Sequence, residues 1–189
     1  MSVARKLFRL FKSFNEWVTI KGYLKGDAPW DNWLPIISRV AFLFYWFFDN
    51  LVVLIKVKFI QSIELKSVSR KASKCWLTGI WLCILIGFLG LAKTAKEEAQ
   101  ILIQRSKAKA KVGASETFDE KQFRDELKKI SAKRKDHILN IIKMFGDSIT
   151  ASQSLGYPQR FLGVNFNDTV VGIGGFTSAF ITCYQKYPK

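Results

Sequence analysis

Between Cys75 and Ala92 the chain runs for 18 residues without a charge, CWLTGIWLCILIGFLGLA, and no other feature narrows its fold so far. As an α-helix rising about 1.5 Å per residue, this stretch covers about 27 Å, close to the ~30 Å hydrocarbon core of a bilayer. Lys74, Trp76 and Lys93 stand at its ends, where ammonium groups and an indole anchor a span at the two interfaces. A fully buried helix of a soluble protein would look similar, but a chain of 189 residues has little else with which to enclose it on all sides. A transmembrane helix is therefore expected.

The charge balance points the same way. Lys and Arg number 30 against 15 Asp and Glu, in a chain that also holds 16 Phe and 6 Trp. Nucleic acid would account for the charge but not for long uncharged stretches, and it is not an expected partner. An anionic phospholipid membrane accounts for both, since a basic side chain near the headgroups gains roughly 1 kcal/mol. Cys75, Cys83 and Cys183 all lie in apolar segments without a CxxC pair, which favours small buried side chains over a disulfide framework or a zinc site. His137 is the single histidine and has no cysteine or second histidine nearby to complete a metal set. No metal or cofactor is expected, and an enzyme is the least supported class, because no nucleophile–base constellation appears.

Residues 3–21 read as a basic amphipathic helix. Val3, Leu7, Leu10, Phe11, Phe14, Trp17 and Val18 recur at spacings of three and four and fill an arc of roughly 120°. Arg5, Arg9, Lys12, Asn15, Glu16 and Thr19 lie opposite, with Lys6 at the flank. Aromatics facing Lys and Arg suit a helix lying in a bilayer interface, with the apolar face inserted and Arg5, Lys6, Arg9 and Lys12 on the headgroups. A core helix with a solvated face is the alternative.

Gly22, Gly26, Pro29 and Pro35 then suggest a loop over 22–35, with Trp30 and Trp33 at headgroup level. A helix is expected from about Ile36 to Ile63. Its aromatic run is interrupted by Arg39, Asp49, Asn50 and Lys56, which converge on an arc of roughly 120°. Such charges are expensive against lipid, so a monotopic, packed helix is expected here in preference to a third span. Lys66, Arg70, Lys71 and Lys74 lead into the uncharged stretch. Beyond it, 93–111 reads as a solvated helical extension, and 112–115 as a break. Thr117-Phe-Asp-Glu120 reads as a capping box opening a charged helix, which Asp136 restarts or continues and Gly156 and Pro158 stop. Thr169–Gln185 is again uncharged for 17 residues. Within it Gly174/Ser178 and Gly175/Ala179, with Gly172, form small-xxx-small pairs that let helices in lipid approach closely and self-associate. A strand-and-turn region is the alternative for this glycine-rich stretch.

The expectation is an all-α, membrane-embedded protein with an N-terminal basic amphipathic helix and about two transmembrane helices. Its divisions are 1–35, an interfacial helix and loop; 36–74, an aromatic-rich membrane-associated helix; 75–92, a span; 93–168, a polar helical region; and 169–189, a glycine-containing span and tail.

In this order the pieces resemble the peroxisomal biogenesis factor eleven family. Arg5-Lys-Leu-Phe-Arg-Leu is similar to that family's basic helix. Arg39, the aromatic run, Asp49-Asn50 and Lys56 resemble its next segment, and Trp76-Leu77 its apolar helix. Asp147, Leu155-Gly156 and Gly172–Ser178 running to Tyr187-Pro188 resemble its closing pattern. The resemblance implies a peroxisomal membrane protein, with its termini in the cytosol, that elongates the organelle and helps divide it. A homo-oligomer is expected from the glycine-bearing C-terminal helix, and the resemblance further implies that it meets the organelle-division machinery. A metabolite channel built on Arg39 and Asp49, and a mitochondrial inner-membrane protein with a basic leader, are the alternatives.

Overall fold

Glycine and proline punctuate this chain at few places, and long helices run between them. The computed structural model describes residues 12–25, 33–111 and 120–187 (backbone alone at 110 and 111). Every regular element among them is helical: α1 Lys12–Leu24, α2 Trp33–Lys56, α3 Leu65–Lys111, α4 Glu120–Leu155, α5 Tyr157–Leu162 and α6 Asp168–Lys186. The break expected at 112–115 and the capping box at Thr117 lie outside the described residues.

Several boundaries differ from those expected. Helix α1 continues through Gly22 to Leu24, and α2 starts at Trp33 with Pro35 already inside it. Proline is tolerated there because the first N–H groups of a helix have no intrahelical partner. At its other end α2 stops at Lys56, about two turns short of Ile63. The Phe59 N–H donates to the Leu54 carbonyl and the Lys58 N–H to the Ile55 carbonyl, both at 3.0 Å, with Lys58 at φ 61°. This is a Schellman turn, which usually places glycine where Lys58 sits. It folds the chain sharply into an elbow, residues 57–64, ahead of α3.

Helix α3 is 47 residues long, about 70 Å, so the uncharged stretch is only its middle. Helix α4 passes Asp136 without a break, and Gly156 at φ 70° with Pro158 behind it makes the expected stop. Helix α6 settles the glycine-rich stretch as helix, not strand; the Asn167 side chain caps it by accepting from the Val170 N–H at 2.9 Å.

The long helices form an up-and-down meander. Contacts join α1 to α2, α2 to α3, α3 to α4 and α4 to α6, while α5 rests on α4. The pairing is antiparallel throughout: Ser38 Oγ lies 3.2 Å from Cys83 Sγ, while Tyr45 stacks on Trp76 at 5.6 Å. Between α3 and α4 the core is Leu77, Ile80, Ile84, Ala151 and Leu155. Farther along, the polar extension of α3 is zipped to α4 by Arg134–Glu98 at 2.7 Å, Lys133–Glu97 at 3.9 Å and Arg105–Glu120 at 2.6 Å. The Arg105 hydrogen bond, helped by Arg124, holds the Glu120 carboxyl below its ordinary pKa.

Among the described residues two helices are long and apolar enough to cross a membrane, and they are α2 and α3. Only 22% of the apolar window of α2 and 28% of that of α3 is buried within the chain. A soluble core helix would be covered on all sides, so these faces belong against lipid. Helix α6 does not share that apolarity, yet it lies against the half of α4 that packs on the uncharged part of α3.

Candidate membrane-active surface

Helix α1 docks on the bundle with the side expected to be polar. Lys12, Glu16 and Ile20, four residues apart, share one face of the helix. Glu16 pairs with Arg39 of α2 at 3.3 Å, Lys12 lies over the Trp46 ring at 4.7 Å, and Ile20 is buried at 4% exposure. The opposite face points away: Phe14 is 63% exposed, Trp17 49% and Val18 66%. Lys21 reaches across Trp17, 5.4 Å from the ring. Of the predicted inserting face, Val3, Leu7, Leu10 and Phe11 lie outside the described residues, as do Arg5, Lys6 and Arg9. Lys12, expected on the headgroups, is turned to α2.

The apolar exposure continues across the bundle. Phe44 and Phe47 of α2, Trp81, Leu85 and Phe88 of α3, and Phe176 and Phe180 of α6 are all exposed. A water-facing surface of this kind would drive aggregation, whereas a lipid-facing one requires it.

Two charged residues within α2, Arg39 and Asp49, have protein around them. Asp49 is buried at 5% exposure, and Arg39 is engaged by Glu16. The cost of setting these charges against lipid, which argued for a monotopic α2, therefore does not arise. Arg39 and Asp49 do not come together as a pore lining. Arg39 lines a crevice of about 500 Å³ with Glu16, Ser38, His137, Asn140 and Lys143, and Asp49 is not among the residues around it. Asn50 is half-buried and Lys56 is exposed at the elbow. His137 serves packing: its ring sits on the Gly90 backbone, where any side chain at 90 would collide with it.

Helix α6 divides its small residues between two faces. Gly174 and Ser178 are buried against α4. A Cβ on Gly146 would stand 2.5 Å from the Gly174 carbonyl oxygen, and one on Gly174 would stand 2.8 Å from that of Gly146, so both must be glycine at this approach. Asp147, half-buried on α4, lies beside Ser178 across the same contact. Gly172, Gly175 and Ala179 are exposed on the other side, and nothing lies within 4 Å of a Cβ built on Gly172 or Gly175. Gly146 and Glu16 are partners that the sequence reading missed. A glycine in the middle of a long helix was the available signal for the first.

A sequence profile of the family described as Peroxisomal biogenesis factor 11 (PEX11) matches residues 1–187. The chain is 28% identical over 197 residues to the Peroxisomal membrane protein 11 homolog of Dictyostelium discoideum, covering 98% of this chain and 74% of that protein. It is 28% identical over 194 residues to Peroxisomal membrane protein 11E of Arabidopsis thaliana, covering 100% of this chain and 74% of that one. No solved structure matches it.

Proposed function

Because the chain belongs to the peroxisomal biogenesis factor 11 family, and is a peroxisomal membrane protein acting in the biogenesis of that organelle, we propose that it elongates and tubulates the peroxisome membrane ahead of fission. The observation that carries this reading is the inverted docking of α1. A helix held to its protein by Lys12, Glu16 and Ile20, with Phe14, Trp17 and Val18 turned out, presents an apolar wedge at the edge of the bundle. Inserted into one leaflet only, the wedge expands that leaflet relative to the other and favours curvature. The cations that precede α1 in the sequence, Arg5, Lys6 and Arg9, draw it to an anionic phospholipid surface.

One wedge bends a membrane little, and a ring or row of them bends it more. The outward stripe Gly172, Gly175 and Ala179 supports a second element of the proposal, self-association through α6. Contacts with the organelle-division machinery would then follow on the constricted membrane. The family is one of biogenesis factors, not of enzymes.

Peroxisome shape in cells tests the reading. Overproduction of the wild-type chain is expected to lengthen peroxisomes into tubules. Phe14→Glu/Val18→Glu is expected to reach the organelle and leave it round; tubules of undiminished length would refute the wedge.

A further inference from the structure

The elbow between α2 and α3 gathers cations that the fold itself does not use. Lys56, Lys66, Arg70, Lys71 and Lys74 line two adjoining pockets there, the larger of about 760 Å³, with Glu64 the only acid among the lining residues. Among the described residues none of these five forms an ion pair, whereas Arg105, Lys133 and Arg134 farther along the bundle all do. The arrangement is unfavourable by itself. Lys66, Arg70 and Lys74 repeat every four residues, so like charges stack on one face of α3. They also open the helix, whose first turn carries no acid, so Glu64 just before it stands alone against these cations and the positive end of the dipole. A polyanion in the pocket would relieve both costs.

The surroundings decide what kind of polyanion. Lys74 immediately precedes the uncharged stretch of α3, so the pocket lies at the depth where phospholipid headgroups begin. The C-terminal end of α4 closes it with Ser154 and Leu155. Around it the elbow exposes Phe59 and Ile63, and α5, which follows α4, exposes Phe161 and Leu162. Exposed apolar groups beside a cationic pocket suit a ligand that sits in a membrane surface, not one free in solution.

We infer that the α2–α3 elbow is a binding site for the multiply phosphorylated headgroup of a membrane lipid of the phosphoinositide class, held chiefly by Lys66 and Arg70, which border both pockets. The site is separate from α1. Its test reads lipid binding rather than tubulation, so its failure leaves the remodelling reading standing.

The experiment titrates the full-length protein in detergent with dioctanoyl phosphatidylinositol bisphosphate, dioctanoyl phosphatidylserine and free inositol trisphosphate. The phosphoinositide is expected to bind at least about tenfold tighter than either of the others. Lys66→Gln/Arg70→Gln is expected to weaken it by about tenfold or more, given the typical gain per basic residue near a headgroup. Lys93→Gln/Lys96→Gln removes the same charge at the other end of the uncharged stretch and is expected to change little. Lys66→Arg/Arg70→Lys keeps the charge and is expected to keep the binding, which guards against reading a folding defect as a lost site. Equal losses in the two Gln pairs, or no preference for the phosphoinositide over phosphatidylserine, would overturn the site. Free inositol trisphosphate binding as tightly as the lipid would overturn its assignment to a membrane ligand.

Discussion

The bundle has two edge helices, and they are attached in opposite ways. Helix α6 is set into α4 by backbone contact, glycine against glycine at 146 and 174, with Asp147 and Ser178 beside it. Helix α1 is held on α2 by the ends of long side chains: one ion pair, one ammonium over an indole and one buried isoleucine. Backbone-to-backbone packing leaves no room for adjustment, while long side chains can exchange a protein partner for a headgroup at small cost. The difference separates a fixed structural edge from an edge that can lend its apolar face to the bilayer.

The comparison breaks most visibly at the glycines. Gly146→Val should force α4 and α6 apart and cost about 3 kcal/mol, the upper part of the usual range for overpacking. In thermal unfolding of the detergent-solubilised chain this is a fall in Tm of roughly 5–10 °C. Gly174→Ala should act in the same direction and less strongly, since a single methyl meets the Gly146 carbonyl. Gly175→Ala, one residue along, should leave Tm unchanged or raise it slightly, because an open-sided helix gains about 0.5–1 kcal/mol from alanine over glycine. Equal effects at 174 and 175 would mean that α6 is not seated as described. Oligomer size sharpens the other face: Gly175→Val should lower crosslinked dimer in membranes while Tm holds.

At the α1 edge the expected changes in stability are smaller. Glu16→Gln removes the ion pair with Arg39, whose side chain is 42% exposed, and should cost under about 1 kcal/mol. Its readout is amide hydrogen exchange, faster in 12–24 and unchanged in 168–186. Slowed or unaltered exchange in α1 would show that the pair does not hold the helix.

Much of this architecture was legible because helices are local. Apolar periodicity and the position of Gly156 and Pro158 are written along the chain, and α3, α4 and α6 follow them. What escaped was relational. The polar face of α1 reads as headgroup-facing in sequence, since nothing in residues 12–24 says that Arg39, 23 residues beyond Glu16, will take up its charge. The glycines of α6 announce close packing but not its direction; Gly146 on another helix decides that Gly174 faces in and Gly175 out. The elbow cations were visible only as the flank of a span. They became a site when a Schellman turn at Lys58 brought Lys56 round to Lys66 and Arg70. Pro35 and Gly22 misled because residues that interrupt helix interiors are tolerated near helix ends.

Tubulation of liposomes by the full-length chain tests the central claim, that the outward face of α1 bends the membrane. Reconstituted into anionic vesicles and viewed by electron microscopy, the wild-type chain should draw out tubules. Phe14→Glu/Val18→Glu should insert to the same level and keep its Tm within about 2 °C, as surface changes usually do, while its vesicles stay spherical. Tubules as long and as frequent as those of the wild type would contradict the account.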